Sequence, residues 1–164
     1  MRWMIFWGMA VIGVAQVRSV PLFSIEKSSN ANRVQYDARL LPDGHFDKKQ
    51  PVVAYWIMAA EDGRRQELNF IERAKAYGFT IRQDGPDSYK LRVVSHKEKE
   101  IHVFLDGAGV KAEAVIGGRE ALVDKIFVQM RSSFLMAFPA FAEMVGSDKQ
   151  TGQKLTERVT RTGE

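Results

Sequence analysis

The chain contains no cysteine among its 164 residues. That absence excludes disulfides, thiolate metal sites, cysteine nucleophiles and a lipid-modified cysteine, so stability has to come from packing. A bilayer-spanning run is missing as well. A transmembrane helix needs roughly 20 apolar residues, whereas the greasiest stretch, Trp3 to Val14, ends before the polar Gln16 and Arg18. Nor is charge of one sign concentrated: the formal net charge of +4 is spread along the chain. Nucleic-acid readers usually carry a gathered basic stripe, so no nucleic-acid partner is expected. No Gly-x-Ser-x-Gly turn is present, and Gly107-Ala108-Gly109 has too few glycines and the wrong flanks for a phosphate cradle.

What is present begins with an address. Arg2, the short apolar centre Trp3 to Val14 and the small residues Gly13-Val14-Ala15 form the three-part pattern of an export signal, with cleavage expected between Ala15 and Gln16. A retained interfacial or signal-anchor helix is the competing reading. Cleavage would leave a periplasmic or secreted protein with no stable membrane anchor. The remainder suits a single β-rich domain over 16–160, with 161–164 as a disordered tail.

Periodicity supplies the architecture. Val34, Tyr36, Ala38 and Leu40 alternate with Arg33, Gln35, Asp37 and Arg39, the pattern of a half-buried strand. Leu22 to Glu26 precedes it as a strand across the turn-prone Ser28 to Asn32, and Leu41-Pro42-Asp43-Gly44 marks the next turn. Val52 to Ala59 is apolar on both alternating faces, which predicts cover on both sides. The cover is expected from the one helix candidate. Asn69 and Glu72 fit a capping box, Phe70, Ala74 and Tyr77 share a face, and Gly78 ends the helix. At about two turns, such a helix requires docking of its apolar face. Short strands with turn signals continue from Phe79 to Val159. The expected fold is therefore mainly β (α+β), an antiparallel sandwich or barrel of about nine strands with one short docked helix near residues 70–77.

Motifs that would name a reaction are scarce. His45, His96 and His102 show no helical pair and no companion carboxylate at a metal-ligand spacing, so no metal and no cofactor are expected. Three features invite a ligand reading beside an ordinary structural one. Tyr55 and Trp56 are adjacent and must face opposite sides of their strand, with packing as the default and ligand contact as the alternative. Asn30 and Asn32 suit turns through side-chain bonds to nearby backbone, or else substrate recognition. Glu72 suits the cap of Asn69, or else proton transfer. With Tyr77 these are the candidate binding residues. The apolar patch Phe134 to Phe141, broken by Pro139, suits core, a cavity wall or a contact surface.

Several of these residues also carry a likeness. Leu22-Phe23-x-Ile25, Asn30-x-Asn32, the Pro51 to Ile57 strand with Tyr55-Trp56-Ile57, Asp62-Gly63, Leu68, Ile71-Glu72 and Ala76-Tyr77-Gly78, with Thr151-Gly152 near the end, resemble a family of small bacterial domains known as domain of unknown function 4833. The resemblance implies one uncharacterised domain over nearly the whole mature chain. It implies no catalytic residues.

The functional expectation is a noncatalytic, exported binding module of the cell envelope, with a small apolar ligand enclosed by the barrel or between sheet and helix. Two alternatives stand beside it. One is an envelope enzyme acting on glycan, peptide or lipid, with Glu72, His102 or Asp106 among its acids and bases. The other is an adaptor domain that presents a strand edge or the Phe134 to Phe141 patch to another envelope protein.

Overall fold

The computed structural model describes residues 16–132 and 137–159. The expected leader with Ala15, residues 134–136 of the Phe134 to Phe141 patch and the expected tail lie outside the described residues. Among the described residues the protein is mainly β, a single eleven-stranded sheet. Its strands are β1 (Arg18–Lys27), β2 (Asn30–Leu40), β3 (Val52–Met58), β4 (Arg64–Glu67), β5 (Phe79–Gly85), β6 (Ser88–Val93), β7 (Ile101–Asp106), β8 (Gly109–Ile116), β9 (Arg119–Ser132), β10 (Ala137–Asp148) and β11 (Lys154–Val159). The hydrogen-bonded order is β4-β3-β2-β1-β9-β8-β7-β6-β5, with β10 and β11 added on the far side of β9.

Two features correct the expectation of an antiparallel sandwich or barrel. β1 pairs in parallel with β9, Ser24 to Lys27 beside Lys125 to Val128, so the sheet is mixed. The path also ends at β4 and β5, which do not pair, so the sheet curls into a half-barrel rather than closing. Hairpin reading detects neighbours in sequence. It has no signal for a parallel contact that brings Glu26 and Lys125 together across 99 residues at 2.7 Å.

β9 is the hinge of the architecture. One of its edges pairs first with β8, through Arg119 to Leu122, and then with β1, from Lys125 onward. At the changeover Val145 and Gly146 of β10 face Lys125 and Val123, leaving Asp124 as an extra residue. A bulge of this kind reverses the alternation. Core-facing residues accordingly run Ala121 and Val123 before it, then Ile126 and Val128 after it.

Both arms of the curled sheet contribute to one core. Phe23 stacks on Tyr36 at 4.5 Å, and Tyr36 meets Phe79 at 6.0 Å, which joins β1 and β2 to β5. Phe46 lies in the otherwise polar loop after Gly44, yet it is buried against Tyr89 at 5.1 Å. The loop reaches inward because Phe46 bridges to Leu40 and the turn closes with Gly44 N donating to Leu41 O at 2.9 Å.

The helix differs from its expected form. α1 is Phe70–Glu72, continued by a π-helical turn, Arg73–Tyr77. The capping box is present, with Asn69 Oδ1 accepting from Glu72 N and Glu72 Oε2 accepting from Asn69 N, both at 2.9 Å. The docked apolar face is not: Phe70 is 83% and Ile71 70% exposed. The segment is held by its end instead. Tyr36 Oη donates to Tyr77 O at 2.6 Å, Ser95 Oγ to Ala76 O at 2.7 Å, and Val94 N to Gly78 O at 2.8 Å. These satisfy carbonyls that a helix terminus would otherwise leave unpaired. Gly78 is required by closeness, since a Cβ there would lie 1.9 Å from Arg73 O.

Candidate functional site

Among the described residues the interior of the half-barrel is packed, and an apolar cleft opens at its margin. Tyr36, Leu91, Val103, Ile116, Ile126 and Met144 fill the centre of the half-barrel with no exposure. Beside it, a cleft of about 150 Å³ opens between the π-helical turn and the β1–β9–β10 surface. Its walls are Ile25, Tyr77, Val128, Met130, Pro139 and Ala142, with Ser95 and His96 also lining it and Lys27 and Lys75 contributing cationic groups.

Each wall has a structural cause. The parallel register places Ile25 beside Ile126 and Lys27 beside Val128, so one surface combines β1 and β9. β10 can carry Pro139 because the ladder is irregular between Pro139 and Phe141, where a missing N–H is tolerated. Tyr77 is fixed by the bond from Tyr36 Oη to its carbonyl, and its ring meets Trp56 edge-on at 5.0 Å. Lys27 Nζ stands 4.8 Å from the centre of the Trp56 ring and 5.8 Å from that of Tyr77. The ammonium is thus held over two aromatic faces, an electrostatically favourable position. The Tyr36 hydroxyl, wholly buried, has its pKa raised well above 10 by desolvation and stays a neutral donor.

The six candidate residues read from sequence do not form one constellation. Tyr77 lines the cleft, and Trp56 supports it from behind through the edge contact. Tyr55 points to the opposite face of β3, where its hydroxyl donates to Asp37 Oδ2 at 2.5 Å and Arg65 lies over its ring at 3.7 Å. Asn30 Oδ1 accepts from Asn32 N at 3.1 Å, and Asn32 Oδ1 from Ala59 N at 2.9 Å, so both organise turns. Glu72 is engaged in the capping box. Gln16 is exposed at the start of the described chain. Ile25, Lys27, Val128 and Met130 are not among the candidate binding residues read from sequence, because their convergence depends on the parallel pairing.

Acid–base candidates are dispersed. Asp106 closes the β7–β8 turn by accepting from Ala108 N at 2.8 Å and pairing with Lys111 at 2.7 Å, and these contacts lower its pKa. His102 Nε2 meets Ser88 Oγ at 2.6 Å while its ring stacks on Phe104. Among the described residues no carboxylate hydrogen-bonds its other ring nitrogen, the arrangement that orients a triad histidine. His96 is buried in the turn after β6 and does not face His102 across a hairpin. No group of three His, Asp or Glu side chains among the described residues is placed to hold a metal ion.

His45 shows the clearest titratable pairing. Its Nδ1 lies 2.7 Å from Asp87 Oδ2, and this hydrogen bond, followed by the charges of Asp87 and Asp43, raises its pKa above 6.5. A raised value stabilises the fold below the unfolded pKa of 6.5, and that contribution disappears as pH rises through the folded value. NMR titration should therefore find His45 protonated to a higher pH than a free histidine. Asp87→Asn should return its midpoint towards 6.5; an unchanged midpoint would remove Asp87 as the cause.

No helix among the described residues is long and apolar enough to cross a membrane. No curated protein and no solved structure matches the chain. A family profile does, over residues 23–158, the one described as Domain of unknown function (DUF4833). That match takes in both arms of the half-barrel and every wall of the cleft, and the chain belongs to this family.

Proposed function

We propose that this protein is an exported, noncatalytic binding module that takes the apolar end of a small amphiphilic anion into the Tyr77 cleft. One observation carries the reading: an apolar cleft beside a filled core, with two lysines among its lining residues. At about 150 Å³ it is smaller than the ~300–1,000 Å³ of pockets that enclose whole ligands. It suits the end of an acyl chain or a single ring. Lys27 and Lys75 suit a carboxylate or phosphate at the mouth. The noncatalytic part of the proposal is supported by the dispersion of Glu72, His102 and Asp106 over separate elements, each engaged locally. The export part rests on the leader pattern.

Dodecanoate is a suitable probe for the mature chain. At a hundredfold excess over its dissociation constant it should add about 2.7 kcal/mol, which raises the melting temperature by roughly 5–10 °C. Val128→Trp should fill the cleft and abolish the shift, and Lys27→Gln should weaken it. Equal stabilisation by uncharged dodecanol would remove the role of the lysines. No shift with either would remove the cleft as a ligand site. Cell fractionation with intact-mass measurement tests export separately.

A further inference from the structure

We infer that the helical turn at residues 70–77 docks the protein reversibly on an anionic lipid surface, with Phe70 and Ile71 as the side chains that enter it. The inference goes beyond the Tyr77 cleft and does not depend on a ligand entering that cleft.

Phe70 and Ile71 are adjacent, and each is more exposed than any other large apolar side chain among the described residues. A single exposed apolar side chain is ordinary, whereas an adjacent aromatic and aliphatic pair at a projecting turn marks a contact surface. The turn is anchored at its other end. The carbonyls of Ala76, Tyr77 and Gly78 accept the bonds that tie it to Ser95, Tyr36 and Val94. At its start Asn69 and Glu72 satisfy each other's amides, so no neighbouring element is needed to pair them. Ala74 and Lys75 are exposed as well. At four-residue spacing Ala74 follows Phe70 and Lys75 follows Ile71, which puts apolar surface and an ammonium on one side of the turn.

The charge around the pair selects the partner. Residues 64–77 carry Arg64, Arg65, Arg73 and Lys75 against Glu67 and Glu72. Glu67 is shared by Arg65 at 3.3 Å and Arg73 at 3.1 Å, and Glu72 is turned back onto Asn69. Arg64 pairs with Glu61, which lies with Asp62 beyond the far end of β4. Lys75 has no ion pair among the described residues. The surface beside Phe70 and Ile71 is therefore cationic, the complement of anionic headgroups. Size points the same way. An aromatic side chain offers ~150–250 Å², and with one isoleucine beside it the patch falls well short of the roughly 800 Å² per partner of a stable protein interface. A bilayer requires no matching pocket: apolar side chains enter the headgroup boundary while the cations stay among the phosphates.

The test sediments the mature chain with vesicles of equal parts phosphatidylglycerol and phosphatidylcholine, and with vesicles of phosphatidylcholine alone. The mixed vesicles should carry the protein down, and the neutral ones should not. Phe70→Ser and Ile71→Ser should each weaken binding about tenfold, the loss of one inserted apolar side chain. Their melting temperatures should stay at the wild-type value, because neither side chain is packed. Lys75→Gln should weaken binding about fivefold. Phe70→Trp should shift its emission to the blue on mixed vesicles and be quenched by brominated acyl chains, which separates insertion from adsorption by charge alone. Protein that stays in the supernatant with mixed vesicles would overturn the inference. So would binding that survives both serine substitutions, or equal binding to neutral lipid. A dimer that Phe70→Ser dissociates, without vesicle binding, would assign the patch to a second copy of the chain instead.

Discussion

Gly146→Ala is expected to lower stability by about 3 kcal/mol, at the upper end of the cost of overpacking a core. For a chain of this length that is a fall of roughly 10 °C in melting temperature. The glycine lies in β10 opposite Val123, next to the bulge that lets β9 leave β8 and join β1. A Cβ there would stand 2.2 Å from Leu122 O and 2.7 Å from Ile116 Cδ1. The first contact is with the backbone of the strand that unites both arms, and the second is with a side chain that has no exposure. Neither can retreat cheaply. Gly107→Ala serves as the comparison, because a Cβ at Gly107 meets nothing within 4 Å. Thermal or urea denaturation of the two variants reads the difference. Equal stability would mean that the β9 bulge accommodates a methyl group, contrary to the packing described above.

The same region shows where the sequence was readable and where it was not. Val34, Tyr36, Ala38 and Leu40 alternate without interruption and β2 buries all four as that alternation predicts, though Asp37 on the polar side is buried as well. Asn69 and Glu72 announce a cap three residues apart, and both reciprocal bonds form. These are local signals. β4 has no apolar residue and emits none; it exists because Asp62 and Gly63, with φ of 52° and 75°, turn the chain back onto β3. Phe46 is a lone apolar residue in a polar loop, and no period could mark it as core. In β9 the bulge at Asp124 breaks the alternation, so Ile126, Phe127 and Val128 read as an undifferentiated apolar run. The cleft follows the same division. Tyr77 and Trp56 stand out as large aromatics. Ile25, Lys27 and Val128 become neighbours only through a parallel pairing between distant strands.

Tyr55→Phe is expected to cost about 2–3 kcal/mol at neutral pH, the value of a hydrogen bond to a charged group. Asp37 is only 2% exposed, and its Oδ1 has no hydrogen-bond partner among the described residues. The Tyr55 hydroxyl, 2.5 Å from Oδ2, is thus the contact that compensates this buried carboxylate. Phenylalanine keeps the ring beneath Arg65 and removes that single donor. The pH dependence carries a distinct signature. Burial, then the hydrogen bond to Asp37, pushes the Tyr55 pKa up to about 12. A folded value above the unfolded 10 stabilises the protein fully below pH 10, and the contribution is lost as pH rises through about 12. The stability gap between wild type and Tyr55→Phe should therefore stay constant up to pH 10 and narrow between 10 and 12. Asp37→Asn completes the cycle: with no charge left to bury, the double variant should lose less than the two single losses combined. Additive losses, or a gap that stays constant to pH 12, would mean that the two side chains are neighbours without being energetically coupled.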